Sequence, residues 1–134
     1  MKKYLVFLIC LTTLLCCGCS GKKTDDGPDT PVEFTVVDFS SIPGEIQTVI
    51  EEKKAEPFQM SANIEGYTYI VIGYGRQETG GYSIKVDFLT QNDKCIKVQT
   101  TLIGPSKNEA VNRLESYPVI VMKFEQIDKM VEYL

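Results

Sequence analysis

Cysteine, carboxylate and guanidinium groups are the side chains in this sequence able to do chemistry, and their spacing limits what each can do. Cys95 stands between Lys94 and Lys97, the kind of basic setting in which reactive thiols are found. The chain has no histidine to serve as its base. The same absence removes a Ser-His-Asp or Cys-His site and the commonest nitrogen ligand for a metal. In Lys94-Cys95-Ile96-Lys97-Val98-Gln99, alternation puts Ile96, Val98 and Leu102 on the core face and Cys95 with Lys97 and Gln99 on the other, the position of a small strand residue without chemistry. The carboxylates are numerous, but Glu51, Glu52 and Glu56 fall on the polar side of a predicted helix, and Asp25, Asp26 and Asp29 fall in a polar N-terminal stretch. That distribution disfavours the paired-acid mechanism of a carboxylate-based hydrolase, which stands as the third reading. Asn92-Asp93 supplies too few oxygens for a calcium loop. No cofactor or metal is expected. Arg76, Thr79 and Tyr82 are better suited to recognition than to catalysis: a planar fork for carboxylate or backbone oxygens, a hydroxyl, and an amphipathic ring.

Those three residues lie in the most patterned part of the chain, 66–88. The apolar run Tyr69-Ile70-Val71-Ile72 passes through Gly73-Tyr74-Gly75-Arg76 and Thr79-Gly80-Gly81 into an alternating segment. There, Tyr82, Ile84, Val86 and Phe88 share one face while Ser83, Lys85 and Asp87 share the other. The pattern predicts strand, constrained loop, strand. Gly80 and Gly81 can adopt positive φ, so the chain is expected to reverse tightly and present Arg76, Gln77, Glu78 and Thr79 at a loop tip. We take Arg76, Thr79, Gly80, Gly81 and Tyr82 as the candidate partner-binding set. The competing reading is turn chemistry alone, with Tyr82 in the core.

Y-x-V-I-x-x-G, the T-G-G-Y-S-I hairpin, an alternating strand pair, a connection containing Pro105, and Tyr117-Pro118 followed by the apolar run 119–124 together resemble the bacterial PrcB-type protease-complex-subunit family. The resemblance covers 68–124. It implies a small extracytoplasmic domain, often carried on a lipoprotein, that associates with or stabilises a protease. The short T-G-G-Y element on a β scaffold is also similar to the wedge loops of chagasin-like inhibitors, which gives the second reading, a protease inhibitor.

At the N-terminus, Lys2 and Lys3 precede an apolar run from Tyr4 to Leu15. It is too short to span a bilayer as a mature helix and has the length of a signal-peptide core. Cys16-Cys17-Gly18-Cys19-Ser20 follows, and a small residue before a cysteine at the end of such a core looks like a bacterial lipoprotein processing site. Residues 1–18 are therefore read as the leader and Cys19 as the lipid acceptor, with Cys16 and Cys17 as alternative acceptors and an unlipidated secreted protein as the other reading. Two or more acyl chains hold a protein at a membrane stably. Residues 19–32, rich in glycine, aspartate, threonine and proline, are expected to form a flexible tether with a reach of roughly 20 Å. Localisation is expected at the cell envelope, on the extracytoplasmic side of the membrane.

The chain carries 18 acidic and 14 basic residues, and removing Lys2 and Lys3 with the leader leaves 12 basic against the same 18, a net of −6. No basic run appears, so nucleic acid is not an expected partner. Within 33–134, read as a single globular PrcB-like domain, Cys95 is the one thiol, so an internal disulfide is excluded.

The remaining pattern supplies a scaffold for the 66–88 segment. A first strand is predicted at 32–39. An amphipathic helix follows, with Ser41 as cap, Pro43 near its start, and Ile42, Ile46, Val49 and Ile50 on one side, ended by Pro57. Residues 58–64 are ambiguous, and Glu65-Gly66 reads as a turn. Strands 82–89 and 95–103 should pair as an antiparallel hairpin across Thr90-Gln91-Asn92-Asp93. Residues 109–116 lean to irregular structure or strand over helix. The nearly continuous apolar run 119–124 reads as a central strand. The tail 127–134 is strand or short helix. The expected fold is α+β and β-rich: an antiparallel sheet or small β-sandwich with one amphipathic helix packed on it. The expected function is that of a non-catalytic interaction protein, with a partner protease implied by the resemblance.

Overall fold

Thr68, Tyr69, Ile70, Val71, Ile72 and Gly73 are buried one after another, which requires their strand to be covered on both faces. The computed structural model, which describes residues 26–134, achieves this with three layers: a sheet, a second sheet and one helix. The expected leader 1–18 and the expected lipid acceptor Cys19 lie outside the described residues. In chain order the elements are β1 (Thr30–Pro31), β2 (Thr35–Val36), a 3₁₀ turn (Phe39–Ser41), α1 (Gly44–Lys53), β3 (Pro57–Ile64), β4 (Tyr67–Tyr74), β5 (Ser83–Gln91), β6 (Cys95–Ile103), β7 (Val119–Glu125) and β8 (Met130–Tyr133). One sheet has the order β1-β5-β6-β8 and the other β2-β7-β4-β3. All pairings are antiparallel except β6 with β8. The β-rich α+β class expected from the sequence is the one observed.

Alternation assigns each face of the central sheet to a different core. Ile70, Ile72, Ile120, Met122 and Phe124 point at the outer sheet and pack with Leu89, Ile96, Val98 and Val32. Tyr69, Val71 and Val121 point the other way and pack with Ile42, Ile46 and Ile50 from α1 and the segment before it. Each fully buried aliphatic side chain contributes about 1.5–3 kcal/mol relative to exposure, so the central sheet gains from both faces. A hydrogen bond of 2.7 Å between the hydroxyls of Tyr74 and Thr100 joins the two sheets.

Two turns show how local sequence fixes register. Glu65 and Gly66 both have positive φ, 50° and 83°, the geometry of a two-residue hairpin loop whose twist matches the flanking strands; Ile64 therefore pairs with Tyr67, the first of eight consecutive pairs. At the β5–β6 turn, the buried Asn92 accepts the backbone N–H groups of Lys94 and Cys95, both at 2.9 Å, and donates to Asp29 at 3.1 Å. Its backbone carbonyl accepts from Lys129 at 2.6 Å. A residue read from the sequence as a polar break thus ties three segments together.

The structure corrects several expectations. The tether expected through residue 32 is docked over its described part: Thr30 and Pro31 pair with Gln91 and Thr90, Asp26 pairs with Lys94 and Asp29 with Lys97, and Val32 is buried. The strand expected over 32–39 is reduced to Thr35–Val36, because the chain there crosses from one sheet to the other. Ser41 does not cap α1; Pro43 holds that position and no side-chain cap bond forms. Phe88 does not share a face with Ile84 and Val86. A bulge at Asp87 pairs Val86 with Thr100 and Phe88 with Gln99, and the extra residue re-phases the strand, so Leu89 enters the core in its place. Of the segments the sequence left open, 58–64 is the edge strand β3, 109–116 is irregular and the tail carries β8.

Candidate functional site

The segment expected to be a hairpin tip is instead a crossover. β4 lies in the central sheet and β5 in the outer one, so residues 75–82 carry the chain between layers. They are zipped against the connection from β6 to β7. Gln77 and Ser116 exchange backbone hydrogen bonds of 2.8 and 3.0 Å, and Gly80 donates to the Asn112 carbonyl at 2.8 Å. The Ser116 hydroxyl donates to the Thr79 carbonyl at 2.7 Å. With both loops hydrogen-bonded to each other, the layer is preformed.

The five candidate residues divide accordingly. Gly81 has φ of 84° and a Cβ there would lie 3.0 Å from Pro105 Cβ and 3.1 Å from Val111 Cγ1; its role is conformational and close-packed. Gly80 does not have positive φ, and its Cβ would meet Asn112 at an ordinary 3.5 Å. Thr79 turns its hydroxyl to the neighbouring Gly80 carbonyl at 3.1 Å. Tyr82 is half-buried, its ring over Gly104. Only Arg76 of the five presents an exposed functional group. Its Nη1 pairs with Glu115 Oε1 at 3.0 Å, with the two side chains 56% and 48% exposed.

Arg76 opens a surface that sequence reasoning missed. Glu115 also accepts from the Tyr117 hydroxyl at 3.2 Å, and the Tyr117 ring lies 5.2 Å from the Lys54 ammonium, which pairs with Glu51 at 2.7 Å. Leu114, 70% exposed, stands beside Glu115. Tyr117 also lines a cleft of about 320 Å³ with Phe39, Ile42, Ile50 and Val119 between the central sheet and α1. The result is a band of alternating charge, Arg76–Glu115–Tyr117–Lys54–Glu51, along an apolar cleft. An aromatic and an arginine beside an apolar recess are the groups that anchor protein interfaces. The signal in the sequence was Leu114 standing apolar within a polar loop.

Elsewhere, an open groove of about 1120 Å³ lies at the opposite end of the central sheet, bounded by Val32, Phe34, Tyr67, Lys123 and Gln126. Cys95 is a free thiol, partly exposed, 3.7 Å from Glu132. Lys97 is raised from its ordinary value by its hydrogen bond to Asp29. Among the described residues no group of three or more Cys, Asp or Glu side chains is arranged to hold a metal ion, and no helix is long and apolar enough to cross a membrane.

Residues 68–125 match the family described as PrcB C-terminal. The match runs from β4 through the crossover and the β5–β6 hairpin to the end of β7, so it contains Arg76 and both loops of the layer. It bears out the resemblance read from T-G-G-Y-S-I and Tyr117-Pro118. No curated protein and no solved structure matches the chain. The family suggests a subunit associated with a protease complex.

Proposed function

We propose that this protein is a membrane-anchored, extracytoplasmic, non-catalytic subunit that binds or stabilises a partner protease through the preformed layer of 75–82 and 112–117. The observation that carries the reading is the coincidence of the family match over 68–125 with a rigid surface displaying Arg76, Leu114, Glu115 and Tyr117. Rigidity matters because a surface ordered before contact loses little conformational freedom on binding. Anchoring through acyl chains on Cys19 would hold the domain beside an envelope partner.

The inhibitor reading requires a projecting wedge. The T-G-G-Y element instead lies against Asn112 and Ser116, which favours the subunit. The test is co-purification of a protease with the wild-type chain and with Arg76→Ala and Leu114→Ala, together with the activity of the captured protease. The subunit reading expects capture of an active protease, weakened by both substitutions; capture with turnover abolished indicates an inhibitor.

A further inference from the structure

β3 is an edge strand with none of the features that usually keep edges apart. Its sequence, Pro57-Phe58-Gln59-Met60-Ser61-Ala62-Asn63-Ile64, carries no charge, its proline is confined to the first position, and its pairing with β4 runs through eight residues without a shift. Proteins ordinarily blunt such an edge with lysine, internal proline, a bulge or brevity. The other edges follow that rule: β1 and β2 have two residues each, and β8 has four, one of them Glu132.

Hydrogen-bond parity identifies the groups left unpaired among the described residues. The two-residue loop makes Ile64 and Tyr67 a hydrogen-bonded pair, so Ala62, Met60 and Phe58 also turn their backbone groups toward β4. Consistently, Tyr74, of the alternate set on β4, donates the other way, to Pro118 at 3.0 Å. Gln59, Ser61 and Asn63 therefore aim their N–H and C=O groups outward, and all three residues are exposed.

We infer that this edge pairs with the β3 edge of a second copy, antiparallel about a two-fold axis through Ser61. That register is self-complementary. Ser61 meets its own counterpart, Gln59 meets Asn63, Met60 meets Ala62, and Phe58 meets Ile64. No charged side chain falls opposite any other within the strand. The apolar row Phe58, Met60 and Ile64, partly buried against the α1 core, continues across the axis, and about six new backbone hydrogen bonds close. Charge favours this occupant. Two copies of a chain with net charge −4 repel overall, an uncharged strand adds no like-charge contact to that repulsion, and a strongly charged partner would find no counter-charge on this edge. Glu56 and Glu65 lie just beyond the paired residues, so the association should strengthen as salt screens repulsion.

The test is register-specific cross-linking of the full chain. In a hydrogen-bonded antiparallel pair the Cα atoms are about 5.5 Å apart, within disulfide range, so Ser61→Cys should oxidise to a covalent dimer. Gln59→Cys alone should not, because equivalent positions are offset by four residues, about 13 Å; mixed with Asn63→Cys chains it should. The parent chain, with the same native cysteines, gives the background. Sedimentation up to about 1 mM protein should show a dimer that Ser61→Lys, which sets two ammonium groups directly opposite each other, weakens at least tenfold while the urea midpoint stays unchanged. Equal cross-linking at 59 and 61, a monomer throughout, a dimer indifferent to Ser61→Lys, or an edge that captures another protein's strand in place of its own copy would each overturn the inference. None of these results bears on Arg76 and the loop layer, so protease capture fails or succeeds independently.

Discussion

Adjacent glycines at 80 and 81 should respond very unequally to the same substitution. Gly81→Ala forces an alanine to φ of 84°, which costs roughly 1–2 kcal/mol for an L-residue. Its Cβ would also approach Pro105 and Val111 to 3.0 and 3.1 Å. Proline cannot rotate away, and relieving such overpacking adds roughly 1–2 kcal/mol. The expected loss is therefore about 2–4 kcal/mol, a fall in Tm of roughly 10–20 °C for a domain of this size. Gly80→Ala has no positive φ to maintain and gains an ordinary contact at 3.5 Å with Asn112; it should change stability by under about 0.5 kcal/mol. Urea unfolding of both variants, read as the shift in midpoint at constant slope, measures the difference. Equal costs, or a larger cost at Gly80, would refute the assignment of the strained turn to Gly81 and with it the packing of the two loops.

Asn92→Ala removes one donated and two accepted hydrogen bonds at a buried position, and should cost about 2–4 kcal/mol in urea unfolding; Asp29→Ala, which removes only one of those partners, should cost less. The Tyr133 hydroxyl is buried without a well-formed hydrogen bond, and burial raises its pKa above the ordinary phenol value, a shift the neighbouring Ser61 side chain only partly opposes. The folded state then holds the proton more tightly than the unfolded chain, so stability should fall as pH rises above about 10. Tyr133→Phe should remove that part of the alkaline loss, visible in Tm against pH, and should leave stability at neutral pH unchanged or higher by up to about 1 kcal/mol. Arg76→Ala breaks an exposed ion pair with Glu115 and should alter stability by less than about 1 kcal/mol, so any loss of partner capture reports on recognition and not on folding.

The fold was legible wherever one residue's neighbours decided its fate. The run 119–124 and the run Tyr69-Ile70-Val71-Ile72 were readable as buried strands because both faces of the central sheet are covered. The partition of Ile96 and Val98 from Cys95 and Lys97 followed from alternation. What failed depended on contacts distant in sequence. The crossover after Gly75 looked like a hairpin because glycines permit reversal, and nothing local shows that Gln77 will bond to Ser116, thirty-nine positions on. The face of Phe88 was misassigned because a bulge leaves no composition signal at Asp87. Residues 26–32 looked like tether because their anchors, Asn92, Lys94 and Lys97, lie more than sixty positions away. At the candidate site, Arg76 was identified from its chemistry, while Leu114, Glu115 and Tyr117 emerged only when the fold brought their loop alongside it.

The central claim is that the exposed side chains of the loop layer capture a protease. It is tested most directly by affinity purification of the full chain from its native cells, with mass spectrometry of the co-purifying proteins, comparing wild type, Arg76→Ala with Leu114→Ala combined, and Ser61→Lys. The account predicts an active protease with the wild-type chain and with Ser61→Lys, and its loss from the loop-layer variant at unchanged stability. A protease retained at full yield by the loop-layer variant, or none recovered with the wild-type chain, would contradict it.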